Sequence, residues 1–492
     1  MNTATTEAKD EPYPERWVAL AVLLCAVFMN MLDVTIVNVA LPSIQRSLGA
    51  SNSDIEWVVA GYVLMFALAL LPFGRLGDIV GRKRMFMIGV TCFTIGSALC
   101  GLSTNIVMLI GARLFQGFSA AMMTPQVLAL AQVMFSPKER ARAFSFFGMM
   151  AGIATVSGPI IGGLLIDHDV FGLGWRAIFL INLPIGVFAV FAGWKLVPST
   201  AGHAGERNDY GGIAFIASAM FLLIFPLVEG RTFGWPAWCF AMMIAAMPVL
   251  GLFVFWERRQ NRLARPQLLS YGLISNRNFM TGGLLALVFF STLPGFFLCL
   301  AIFLQVGFGF DPLKSGLTTV PFSLGVLVAS FANGRFGHHA LKLRMIAGMI
   351  MLAAGIFWLR LYVLSVQDTI SHWAVFGPLL TAGLGLGMAI ASIFQLVLAG
   401  VPHREAGSAS GALQAVQQLG GAFGIAIISE IFFSHLASLL KAGTAQHAAY
   451  VDAFAGAMIY NLIAYVIVVG LTLLLPGQSG PAEAISDEPH IA

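Results

Sequence analysis

Charge is scarce in this sequence. Only 10% of its 492 residues are Asp, Glu, Lys or Arg, where a soluble chain carries about a quarter. Apolar residues make up 58%, and 40 residues are Phe. No soluble globule covers its surface with so few charges, so the roughly three soluble domains that length alone would give are excluded. Cysteine is nearly absent as well. The five present, Cys25, Cys92, Cys100, Cys239 and Cys299, lie inside apolar stretches without CxxC or metal spacing, which argues against a disulfide framework or a zinc site. His338, His339 and His403 on one side, and His168, His372, His435 and His447 on the other, have no ligand partner at metal spacing. No cofactor or metal is called for. There is no P-loop and no Ser, His or Cys constellation of the catalytic kind, so an enzyme is disfavoured. The net charge of +4 sits in short clusters between apolar runs and describes no nucleic-acid surface.

What the sequence has is apolar runs of bilayer length. Crossing a membrane as helix takes about 20 such residues. Runs of this kind lie near 17–40, 56–74, 85–103, 106–134, 143–166, 175–197, 211–229, 237–256, 279–305, 315–336, 343–365, 372–400, 407–434 and 454–475, which makes fourteen spans. The first is too long for a signal-peptide core and has no small-residue cleavage site, so it reads as a retained span. Most Lys and Arg fall in the N-terminal tail and the even-numbered loops, as with Arg82, Lys83 and Arg84, Lys138, Arg140 and Arg142, and Arg258, Arg259, Arg262 and Arg265. By the positive-inside rule both termini then face the cytoplasm of a plasma (inner) membrane.

The chain repeats itself. The segment from Gly74 to Met85 aligns without gaps to that from Gly334 to Met345, and the two follow spans 2 and 10. A shift of eight spans divides the chain into a cytoplasmic tail (1–16), a six-helix bundle (17–200), a linker with an inserted pair of helices (201–278), a second six-helix bundle (279–475) and a second tail (476–492). Parallel repeats of this kind build many transporters.

Four ordered stretches carry a resemblance. They are Leu32-Asp33-Val34-Thr35 through Pro42 in span 1, Gly74-Arg75-Leu76-Gly77-Asp78 through Arg84 after span 2, Arg113-Leu114-Phe115-Gln116-Gly117 in span 4, and Gly158-Pro159-Ile160-Ile161-Gly162-Gly163 in span 5. Trp175-Arg176 with Phe179, Asn182 and Pro184 adds a fifth match at the start of span 6. On these the chain resembles the fourteen-helix drug:proton antiporter family of the major facilitator superfamily. The resemblance implies an all-α polytopic fold of two six-helix bundles plus two inserted helices. It also implies export of amphipathic or cationic small molecules against protons, by a protein that works as a monomer among membrane lipids.

A charge deep in a span costs ~2.5–3.5 kcal/mol on insertion scales and needs a reason. Asp33 and Arg113 both lie about seven residues, or roughly 10 Å, from the outer ends of spans 1 and 4. They meet at one level if those spans are neighbours, as they are in the resembling fold. A desolvated carboxylate can carry a proton and a nearby arginine opposes it, so Asp33 and Arg113 are the proton-coupling candidates. The alternative is a permanently paired structural carboxylate. Glu430 is the third span charge, near the outer mouth, on a helix whose Gln414, Gln417 and Gln418 form a polar stripe. Asn30, Asp33, Gln116, Gln414, Gln417 and Glu430 are the candidate substrate contacts, and Phe and Met residues would supply adaptable apolar lining. The resemblance makes the loop with Gly74, Asp78, Gly81 and Arg82 a cytoplasmic gate; the plainer reading is topogenic charge. The C-half copy has His338 where Asp78 stands, so its gate reads as degenerate. Span 5 offers a small face of Ala151, Thr155, Gly158 and Gly162, with Pro159 beside it, suited to close helix packing. The inserted spans carry no central charge and have no counterpart in the repeat. They are expected to pack outside the twelve-helix core, apart from the transport chemistry. A dedicated exporter of one metabolite, sugar or antibiotic, and a non-transporting sensor, remain alternatives.

Overall fold

Without water to satisfy backbone N–H and C=O groups, an apolar run inside a bilayer closes on itself as helix. The structure is a computed structural model that describes residues 13–199, 208–231, 233–335, 340–366, 369–371, 373–398, 401–402 and 405–475, and among these all regular structure is helical. The first bundle comprises α1 (Arg16–Leu48), α2 (Asn52–Val80), α3 (Arg82–Gly101), α4 (Ile106–Met134), α5 (Pro137–Asp167) and α6 (Gly174–Leu196). The inserted pair is α7 (Tyr210–Glu229) and α8 (Ala237–Arg262). The second bundle comprises α9 (Arg277–Gly307), α10 (Lys314–Ala332), α11 (Leu341–Ser365), α12 (Phe376–Leu398), α13 (Ala406–Lys441) and α14 (Gln446–Leu474).

Thirteen of these helices, among the described residues, are long and apolar enough to cross a membrane. The fourteenth position belongs to α5. Its 31 residues reach ~46 Å at 1.5 Å per residue, and it runs beside α1 in its own bundle and α10 in the other.

Local chemistry sets the helix ends. Ser51 and Asp54 form a reciprocal capping box at the start of α2; the Ser51 hydrogen bonds hold the Asp54 carboxyl below its ordinary pKa. Asn105 accepts from the Met108 N–H at the start of α4. Gly81 alone joins α2 to α3 at φ 105°, a backbone that a residue with a Cβ rarely adopts. In α9 the helix breaks at Ser291 and Thr292, ahead of Pro294, which has no N–H to give the preceding turn.

Within the first bundle α4 packs on α2 and α3, and α1 on α5. Within the second, α12 packs on α10 and α11, and α13 on α14. The bundles meet along two seams, α2 against α13 and α5 against α10. Of the inserted pair, most of α8 is exposed, with only Cys239, Ala246, Phe253 and Glu257 buried, while α7 buries Ile216, Met220, Leu223, Ile224 and Leu227 in the main apolar cluster. Helix α7 does not sit on one bundle alone, since it packs on α2 and on α13.

Candidate functional site

The antiparallel run of α1 and α4 brings Asp33 and Arg113 to one level. Arg113 Nη1 lies 2.5 Å from Asp33 Oδ2, and the two residues are 1% and 0% exposed. Three further contacts tie the pair down. Gln116 Nε2 donates to Asp33 Oδ1 at 2.9 Å, Asn182 Nδ2 to the same oxygen at 3.1 Å, and Arg113 Nε to the Val58 carbonyl of α2 at 3.0 Å. Gln116 Oε1 in turn accepts from Arg113 Nη1 at 2.8 Å, which orients its amide. Ser97 of α3 accepts from both Gln116 and Asn182, and gives its own proton to the Phe179 carbonyl. Each hydrogen-bond partner of Asp33 among the described residues is a donor, so the arrangement suits the carboxylate. A protonated Asp33 would point its O–H at one of those donors and break at least one contact.

The guanidinium lies over the Tyr62 ring at 4.1 Å, a cation–π contact between two buried side chains. Tyr62 donates its hydroxyl proton to Asn30 Oδ1. Asn30 continues the chain to Thr124 at 3.4 Å, so one hydrogen-bonded path crosses α2, α1 and α4. Asn30 and Gln116, named from the sequence as substrate contacts, are both buried within this first bundle. Gln414 and Gln417 stand elsewhere, half-buried on α13, and neither has a hydrogen-bond partner among the described residues. Glu430 is exposed, at the far end of α13, and accepts from Trp235.

Sequence reasoning gave no role to Asn182, Ser97 or Tyr62. Asn182 offered a signal, a carboxamide in the apolar start of α6. Ser97 and Tyr62 did not, because neutral residues of this size are common in spans and only the fold aims them at the pair.

The short linker at Gly81 holds Asp78 against the other bundle. Its Oδ1 accepts from the Gly407 N–H at 3.0 Å, and its Oδ2 from the Ser408 N–H at 2.9 Å and hydroxyl at 3.1 Å. A carboxylate thus caps the N-terminus of α13, where unpaired N–H groups and the helix dipole favour negative charge. Arg82 clamps the same carboxylate through Nε at 3.0 Å and Nη2 at 2.9 Å. Gly74 makes this approach possible: a Cβ there would stand 3.1 Å from the Gly411 Cα and closer still to the Gly407 carbonyl. In the C-half copy of this loop, Phe336, Gly337, His338 and His339 lie outside the described residues, as do His372 and His403.

The small face of α5 rests on α1 beside the ion pair. Gly158 packs on Thr35 and Ile36, and Gly162 on Ile36 and Val39. Thr35 also donates to the Ala154 carbonyl at 3.2 Å. The side chains of Ala151, Thr155 and Pro159 are not among those described. A Cβ at Gly158 would sit 2.7 Å from Thr35 Cβ. Gly158→Ala is therefore expected to push α5 off α1 at a cost of about 1–3 kcal/mol, read as a lower unfolding midpoint of the purified protein.

Comparison with known proteins agrees with this architecture. The Major Facilitator Superfamily profile matches residues 23–425. The probable actinorhodin transporter of Streptomyces coelicolor is 43% identical over 88% of this chain and 75% of its own length. The tetracenomycin C resistance and export protein of Streptomyces glaucescens is 31% identical over 89% of this chain and 81% of its own. Among solved structures, the human organic anion transporter MFSD10 superposes with a TM-score of 0.67 at 13% identity, over 93% of this chain and 100% of that one. At that identity the likeness is one of fold.

Proposed function

Because this chain belongs to the major facilitator superfamily, we propose that it is a proton-coupled antiporter that exports small molecules from the cytoplasm by alternating access. That it is a transporter follows from its family and relatives; the proton coupling is our reading. The observation that carries it is the Asp33 network, an ion pair sealed inside one bundle whose carboxylate accepts from three side chains. In this reading a proton arriving from outside neutralises Asp33 and frees Arg113 and Gln116 to find other acceptors. The helices they hold, α1 and α4, then shift relative to each other. Loss of that proton to the cytoplasm restores the pair. Substrate would occupy the cleft between the bundles, with Gln414 and Gln417 as its polar contacts.

The basic loops set the direction. Arg82, Lys83, Arg84, Lys138, Arg140 and Arg142 belong to the ends of α3 and α5 on the side where the described residues begin, at Tyr13, and end, at Leu475, and the positive-inside rule assigns that side to the cytoplasm. A narrower second reading, a dedicated exporter of one antibiotic, is favoured by the 43% identity to the probable actinorhodin transporter.

Purified protein in liposomes with an imposed pH gradient tests both. Substrate accumulation driven by the gradient, and collapsed by a protonophore, is the expected result. Exchange that ignores the gradient would remove proton coupling. A panel of dissimilar compounds separates a broad exporter from a dedicated one.

A further inference from the structure

The inserted helices reach both bundles, and they do so in different ways. Along α2 the hairpin packs through α7. Phe225 of α7 lies 6.2 Å from the Trp57 ring near one end of α2. The hairpin packs more extensively on α2 than on α13. Its turn reaches the second bundle. Trp235 Nε1 donates to Glu430 Oε2 of α13 at 3.1 Å, and the Arg231 guanidinium lies 3.4 Å over the Phe433 ring one helical turn on.

The backbone beside this contact is left-handed. Trp235 has φ 54°, following Gly234 at φ 70°. A left-handed conformation is uncommon for a bulky side chain and persists only where its surroundings require it. A bond from the Trp235 N–H to the Gly230 carbonyl at 2.7 Å closes the turn and aims the indole. The same helix α13 is gripped by Asp78 at Gly407 and Ser408, ~35 Å away along its axis. The α2–α13 seam is thus tied at both ends, directly at one and through the hairpin at the other.

We propose that the α7–α8 turn is a clasp on the outer end of this seam, in which Trp235 and Arg231 hold Glu430 and Phe433 until the bundles part there. This rests on the alternating-access reading. The inserted pair then sets how readily the outer mouth opens. Glu430 belongs to the clasp.

The test uses the full chain in lipid nanodiscs, with its native cysteines replaced and spin labels at Val59 of α2 and Ile431 of α13. Trp235→Phe keeps the ring and loses the N–H, so it should raise the population of long distances roughly 2- to 10-fold, the worth of one hydrogen bond. Glu430→Gln keeps an acceptor and should shift it less. In liposomes, Arg231→Cys with Phe433→Cys, bridged by a short reducible bifunctional thiol reagent, should halt counterflow until reductant restores it. Unchanged distances in Trp235→Phe, or full counterflow in the bridged protein, would overturn the clasp. The distance measurement needs no substrate or proton gradient, so a failure of the transport reading would leave it unaffected and distinguishable.

Discussion

Asp33→Asn is expected to bring gradient-driven export down to the level of empty liposomes. The amide keeps the size and one acceptor oxygen of the carboxylate but cannot take up and release a proton. Its second effect is on stability. Arg113 is 1% exposed and keeps its charge, and removing one partner of a buried pair costs about 3–5 kcal/mol because the other stays behind uncompensated. The remaining bonds to Val58 and Gln116, with the Tyr62 ring, put the expected loss at the lower end of that range. The two effects separate in a double variant. Asp33→Asn with Arg113→Gln leaves no buried charge, so the unfolding midpoint should recover most of the loss while export stays absent. Gradient-driven export at the wild-type rate in either variant would remove Asp33 from the coupling path. A double variant that regained both stability and export would make the pair purely structural.

The second large effect is expected at the Asp78 latch. Asp78→Asn keeps one acceptor for the N-terminus of α13 but loses the charge that faces Arg82 and the helix dipole. Charge-assisted hydrogen bonds are worth about 1.5–3 kcal/mol each. A loss of about 2–3 kcal/mol would move a two-state equilibrium roughly 30- to 150-fold toward the state that is open at this end. Cysteines introduced into the end of α13 near Ser408 should then label faster, with unchanged protein level. Labelling at the wild-type rate would leave the loop as a topogenic signal only. This variant and the clasp variants act on opposite ends of the same seam. Combining Asp78→Asn with Trp235→Phe should therefore offset part of each shift.

Some of the candidate site could be read from residue types alone. Asp33, Arg113 and Asp78 stand out because charge in an apolar chain is costly, and a costly residue marks its own position. The glycines at 74, 158 and 162 were visible for the related reason that each is an absence of side chain, which the structure uses for close helix approach at Gly407, Thr35 and Ile36. Asn182, Ser97 and Tyr62 were not legible. They come from α6, α3 and α2, and their value lies in hydrogen bonds across sequence separations of 149 to Asp33 and 85 between Asn182 and Ser97, which no local pattern encodes. The same holds for Glu430. As a lone carboxylate on a Gln-bearing helix it read as a substrate contact, and its indole partner lies 195 residues away.

By itself the sequence determined that this protein lives in a bilayer, with helices of set length and order in two repeated bundles. Hydropathy acts on each segment separately, since every span must satisfy its own backbone in lipid whatever its neighbours do. The tertiary structure alone decided which polar groups meet. It closed the donors around Asp33, set its carboxyl apart from Gln414 and Gln417, and laid the inserted helices over the seam between bundles. Helix-to-helix packing in lipid lacks a hydrophobic force to choose partners and depends on small faces and a few interhelical hydrogen bonds. Those depend on the rotation and depth of each helix, and rotation and depth exist only once all the helices are assembled.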